Sequence, residues 1–128
     1  PGDLIISVTV RPHHIFERQG SNIYCEVPIT FAQATLGAEI DIPTLEGTMK
    51  YTVPEATQSG SSFVVRGKGI QAVNNPRTRG DLVINVVIEV PKNLTYEQKE
   101  LLRKFNDACK DSNYSKRTNF FRRIFGNR

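Results

Sequence analysis

Apolar and polar positions along the chain follow two rhythms, and the change between them divides it. Up to about Val90 the pattern is that of strands. Residues 4–10 and 82–90 are β-branched runs, each opened by Gly-Asp, and shorter candidates lie at 22–30, 39–43, 48–53 and 62–66. Leu45-Glu46-Gly47 and Gln58-Ser59-Gly60 read as turns between them. Glu39-Ile40-Asp41-Ile42 alternates strictly, so Ile40 and Ile42 share one face while the two acids take the other. One short helix interrupts the strands: Phe31-Ala32-Gln33-Ala34-Thr35-Leu36, with Thr30 as N-cap and Gly37 as stop. Beyond Pro91 the period becomes helical. Thr95 with Gln98 three residues later fits a capping box, and Leu101, Leu102, Phe105, Ala108 and Cys109 recur at helical spacing, predicting an amphipathic helix over 96–111. The expected fold class is mainly β: a small two-layer β-sandwich-like domain with one short internal helix and a C-terminal amphipathic helix.

The two Gly-Asp runs are copies of one pattern. Gly2-Asp3-Leu4 with Ile6 and Val8 recurs as Gly80-Asp81-Leu82 with Ile84 and Val86, an offset of 78 residues. An offset near the length of a small β domain implies an internal duplication. Residues 1–10 are then expected to be the last strand of a preceding, truncated β domain, 11–93 a complete second one, 94–111 the helix, and 112–128 a basic, aromatic extension. The chain lacks an initiating Met, so it is expected to be a piece of something longer.

Composition narrows the chemistry. At 128 residues, 38% hydrophobic and 23% charged, the chain suits one core and is too short for a two-domain enzyme. Its net charge is +4, yet residues 112–128 hold Lys116, Arg117, Arg122, Arg123 and Arg128 with no acid. Taking those five from 17 leaves 12 bases against 13 acids in the remainder, so the folded body is close to neutral and no polyanion binder by charge. Cys25 and Cys109, 84 residues apart and outside any CxxC or Cys/His cluster, read as small buried residues in a reducing cytoplasm. No metal or cofactor site is expected. His13 and His14, adjacent and the only histidines, would point to opposite faces of a strand and leave little for acid–base chemistry.

Gly67-Lys68-Gly69-Ile70-Gln71-Ala72 matches GxGxxA after a strand, but Val73-Asn74-Asn75-Pro76 cannot continue the helix a phosphate turn opens, so Gly67 and Gly69 read as turn or bulge glycines. Residues 74–80 form a polar loop expected to be mobile. Asn93-Leu94-Thr95 and Asn113-Tyr114-Ser115 are glycosylation sequons by pattern only. Nothing in the sequence points to an enzyme. No apolar run is long enough to cross a bilayer.

The extension is expected to be solvated and partly disordered, yet it holds three of the seven phenylalanines. Phe120, Phe121, Ile124 and Phe125 would cluster on one side of a helical turn, to dock on a partner chain or stay exposed beside arginines. A membrane-surface role stays a minor alternative, because one short turn has little area to bury.

Several motifs, in order, resemble a known family. Pro12-His13-His14-Ile15-Phe16-Glu17-Arg18-Gln19-Gly20, Ile23-Tyr24-Cys25-Glu26-Val27-Pro28-Ile29, Ala34-Thr35-Leu36-Gly37 and Pro43-Thr44-Leu45-Glu46-Gly47 resemble the second C-terminal β domain of DnaJ-type co-chaperones. So do Gln58-Ser59-Gly60, Phe63, Arg66-Gly67-Lys68-Gly69 and Arg79-Gly80-Asp81-Leu82, and the cysteine of Tyr24-Cys25-Glu26 is similar to the bacterial, zinc-bearing type. His14 stands where the family often has proline. The resemblance runs from Gly2 to about Phe105 and assigns no counterpart to residues after Asp111. It implies tandem β-sandwich-like domains, a C-terminal dimerisation helix, and capture of unfolded polypeptide for delivery to a 70-kDa heat-shock chaperone. The family's J-domain with its His-Pro-Asp signature and its CxxCxGxG zinc repeats are absent from this sequence; zinc is expected upstream.

Site residues follow from that resemblance. Carried across the internal repeat, the family's client groove falls on Cys25 and Val27, Ile40 and Ile42, and Ile84. Apolar residues alternating on neighbouring strands can form a trough for extended peptide, and equally a closed core. Leu101, Leu102, Phe105 and Cys109 form the dimerisation stripe, which packs either on the chain's own sheet or on the same helix of a second chain. The expected partners are unfolded polypeptides, the 70-kDa chaperone through the longer protein, and a second copy, with no membrane. The alternative is a nucleic-acid-associated β domain that uses the basic extension; a sugar-binding sandwich is poorly supported without Trp.

Overall fold

Alternation in two distant strands sets the architecture. The computed structural model describes residues 15–71 and 78–126. In chain order it contains β1 (Glu17–Gln19), β2 (Asn22–Thr30), α1 (Phe31–Leu36), β3 (Ala38–Thr44), β4 (Gly47–Val53), β5 (Ser62–Val65), β6 (Leu82–Glu89), α2 (Tyr96–Ala108) and α3 (Ser115–Phe125). β2 turns Ile23, Cys25, Val27 and Ile29 inward, and β6 does the same with Leu82, Ile84 and Val86. The two pair in parallel with Ile23 opposite Leu82, Cys25 opposite Ile84 and Val27 opposite Val86, so the inward rows lie side by side. β1 and β5 add antiparallel edges, giving the order β1-β2-β6-β5. β3 and β4 form a separate hairpin whose Ile40, Ile42 and Val53 join the same hydrophobic cluster as the four-stranded sheet. Two layers with one core result, as the sequence predicts, and the Tyr51 and Phe63 rings meet at 5.5 Å between the layers.

β2 passes into α1 without a loop. Thr30 Oγ1 accepts from the Gln33 amide at 3.0 Å, and Gln33 Oε1 accepts from the Thr30 amide at 2.9 Å, completing a capping box. At the other end Ala34 and Thr35 carbonyls accept from the Thr57 and Ala56 amides, which ties the helix to the segment after β4. Gly37, at φ +80° and within 3.2 Å of where a side chain would meet Val53 O, closes it.

The glycine motifs have a packing reason. Ser21, Gly69 and Gly80 meet backbone to backbone: Ile70 donates to Ser21 O at 2.7 Å and Gly69 to Gly80 O at 2.9 Å. A Cβ at either glycine would overlap the Ser21 carbonyl oxygen. Around this pinch, Asp81 accepts from the Gly67 amide at 3.1 Å, and Arg79 donates to Gly69 O at 3.0 Å and to Glu46 at 2.9 Å. Lys68 also approaches Glu46, at 3.5 Å, so the β3–β4 turn is clamped to the glycine segment. Arg79, and then Lys68, hold the Glu46 carboxyl below its ordinary range.

The strands, α1 and the start of α2 lie where the pattern puts them. β1 was not expected: its three residues are all exposed and carry no apolar alternation. The helix expected over 96–111 stops at Ala108, with Cys109 extended, and a 3-10 turn at Asp111–Asn113 leads into α3. The extension expected to be partly disordered thus contains an eleven-residue helix. Residues 1–14, including the strand expected at 1–10 and both histidines, lie outside the described residues, as does 72–77 of the polar loop. Two compact units divide between Val90 and Pro91.

Two outcomes follow from the pinch and the clamp. Gly80→Ala should lower unfolding stability by on the order of 3 kcal/mol in urea titrations, because backbone and not a flexible side chain must yield. A depressed carboxylate contributes stability that is present above its ordinary pKa and lost on acidification. Glu46→Gln should therefore be less stable than the parent at neutral pH, with the gap closing as pH falls below the ordinary value of 4.5; a gap that persists unchanged in acid would contradict the clamp.

Candidate functional site

The five groove residues meet in space, but not as an open trough. β2 and β3 belong to different sheets, so Cys25 and Val27 face Ile40 and Ile42 across the core instead of flanking them. All five side chains, Ile84 included, are at most 9% exposed. Alternation gives the inward rows correctly; which strands are neighbours depends on sheet order, which alternation does not encode. Cys25 alone among them also borders a depression. Its cavity of about 300 Å³ is lined by Ile15, Phe16, Glu17, Tyr24, Cys25, Glu26 and Asn85.

This depression lies where β1 and the residues before it cross β2. Ile15 is exposed and Phe16 half-buried against the core, so apolar surface is available at its rim. Tyr24 and Glu26 come from the outward row of β2, and Asn85 from that of β6, paired with Glu26. The Ser62 hydroxyl donates to Asn85 Oδ1 and holds that side chain. Burial, and then the Glu26 charge, push the Cys25 thiol up, so it stays protonated and is no nucleophile. An apolar rim with Glu17 and Glu26 beside it can accept extended chain that carries apolar and basic side chains. Ile15, Phe16 and Tyr24 were missed as site residues; all three stand in the quoted motifs, but nothing in their spacing marks them as lining a cavity.

The second candidate site is α2. Thr95 Oγ1 accepts from the Gln98 amide at 3.1 Å and Gln98 Oε1 from the Thr95 amide at 2.8 Å, the capping box read from sequence. No residue of this helix is buried. Leu101, Leu102 and Phe105 are 63%, 49% and 42% exposed, and Cys109, half-buried, receives the Tyr114 hydroxyl at 3.7 Å. Both cysteines are free. Among the described residues no cluster of His, Cys, Asp or Glu could hold a metal, and no helix is long and apolar enough to cross a membrane.

Two family models match the chain, one over the β body and one over the helices after it. Residues 1–91 match the family model described as DnaJ C terminal domain, and residues 97–124 match that of the Chaperone protein DnaJ C-terminal region. The chain belongs to the DnaJ C-terminal domain family, as its motifs indicated. It is 52% identical over 120 residues to a protein named Chaperone protein DnaJ from Ruminiclostridium cellulolyticum, and 46% identical over 123 residues to one of that name from Fusobacterium nucleatum subsp. polymorphum. These matches cover 94% and 96% of the chain but 31% of each relative, so the chain spans about a third of their length. The second model corrects one expectation: residues after Asp111 do have a counterpart, through 124.

Proposed function

We propose that this chain is the client-binding and self-associating part of a DnaJ-type co-chaperone, working in the cytoplasm without catalysis of its own. Unfolded or non-native polypeptide is its ligand, and presentation of that polypeptide to a 70-kDa heat-shock chaperone belongs to the longer protein. The observation that carries the reading is the apolar stripe of α2, exposed on a capped helix in which no residue is buried, within a chain of this family.

Covering Leu101, Leu102 and Phe105, with Cys109 at the end of the stripe, supplies roughly 1.5–3 kcal/mol for each large side chain. A two-fold pairing of α2 uses each residue twice and brings two β bodies together, so a client held on both gains through effective concentration. α2 suits self-pairing electrically, since Glu97, Glu100 and Asp107 balance Lys99, Arg103 and Lys104.

For client contact, Ile15, Phe16 and Tyr24 offer the accessible surface. Cys25, Val27, Ile40, Ile42 and Ile84 act beneath it as the rigid core that holds the strand rows in place. Such a surface binds many sequences weakly, by apolar contact and backbone pairing.

Two measurements test this. The chain should scatter light as a dimer, and Leu101→Lys with Phe105→Lys should weaken association by on the order of a hundred-fold or more; a parent that is monomeric at any accessible concentration refutes the seam. Titration with a short, uncharged apolar peptide should shift amides of 15–17, 24–26 and 85 and change little between low and high salt. Shifts confined elsewhere refute the depression, and tighter binding of single-stranded DNA than of peptide, lost as salt rises, would favour the nucleic-acid alternative.

A further inference from the structure

Residues 112–126 hold a second amphipathic helix whose charge differs from that of α2. α3 is three turns long, about 16 Å, against the single turn that makes a membrane role only a minor alternative in the sequence. Phe120, Phe121, Ile124 and Phe125 lie within one arc of it and are 40 to 54% exposed. Phe120 meets Phe121 edge-on at 5.1 Å, Phe121 stacks with Phe125 at 6.0 Å, and Arg117 sits 5.0 Å above the Phe121 ring. The arc is therefore a continuous ridge.

Charge selects what covers it. α3 carries Lys116, Arg117, Arg122 and Arg123 and no acid. Two copies of α3 laid together would bring eight cations into one seam, whereas α2 is balanced. Within the helix these charges are not optimal either. Arg122 and Arg123 complement the C-terminal dipole, but Lys116 and Arg117 sit in the first turn, where no acid compensates and Tyr114 gives no side-chain cap. A local rule broken without local gain marks a binding surface. Nucleic acid would satisfy the cations, but base stacking needs open ring faces, and the Phe121 ring is already engaged by Arg117 and Phe125. A bilayer surface satisfies both halves: anionic headgroups meet the arginines, and the ridge enters the acyl boundary.

We infer that α3 is an interfacial anchor that lies on anionic phospholipid surfaces, with Phe120, Phe121, Ile124 and Phe125 inserted and Lys116, Arg122 and Arg123 at headgroup level. It rests on the helix alone and not on the client-binding reading. The test is co-sedimentation of the whole chain with vesicles of phosphatidylglycerol and phosphatidylcholine in equal parts, against phosphatidylcholine alone. Each cation near an anionic surface is worth roughly five-fold in partitioning, so binding to the mixed vesicles should be at least about ten-fold tighter and weaken at high salt. Phe121→Ala with Phe125→Ala keeps helix propensity and should abolish binding; Arg122→Gln with Arg123→Gln should remove the preference for anionic lipid. Both pairs should leave the urea transition of the β body unchanged. Equal binding to the two vesicle types, or none, overturns the inference. So does tighter binding of single-stranded DNA than of vesicles, or a phenylalanine variant that loses self-association while the parent never sediments with lipid.

Discussion

The fold depends on one parallel pairing between strands far apart in sequence. β2 and β6 bury seven alternating side chains on their shared inner face, and every other element of the β body packs on or beside that pair. Parallel strands cannot be joined by a tight turn, so their register must be fixed by something other than a hairpin. The Ser21, Gly69 and Gly80 contact does this. It stands at the start of both strands, where Ile23 donates to Asp81 O at 3.0 Å, and a slip of one residue would turn the apolar row of the slipped strand toward water.

How much of this was legible varies with the range of the interaction involved. Local features were readable: the Thr30 and Thr95 caps, the inward side of Ile40 and Ile42, and the stripe of α2 all depend on residues within one or two turns or strands. Gly67, at φ +74°, is the turn glycine the pattern suggests, but the reason for Gly69 and Gly80 was not readable, since Ser21 is distant in sequence. The groove shows the same limit. Its five residues lie on inward rows, and β2 and β3 are facing layers and not neighbours, so these side chains form a closed interior. β1 was invisible because three exposed polar residues carry no period. α3 was underestimated because its apolar positions were counted as one turn, although Arg117 over Phe121 extends the ordered arc toward the N-terminus.

Charge and apolar surface are distributed unevenly, and the distribution separates roles. The β body is near neutral and buries its inward rows, while Ile15, Phe31, Leu36, Leu45, Val64 and Val90 stand exposed singly around it. α2 exposes apolar surface with balanced charge, which suits contact with its like. α3 exposes a comparable surface under positive charge with no acid. Two helices of similar length, joined by the six residues 109–114, thus differ in charge, with three acids against three bases in one and four bases alone in the other.

The distance between β2 and β6 also has a consequence in time. Ile23 and its partner Leu82 are 59 positions apart, so during synthesis the inward row of β2 emerges well before the strand that covers it. Contacts this remote close slowly and leave exposed strands open to wrong pairing. On the ribosome the β body is thus for a time an open, sticky chain, and its folding must wait until its final strand has been made.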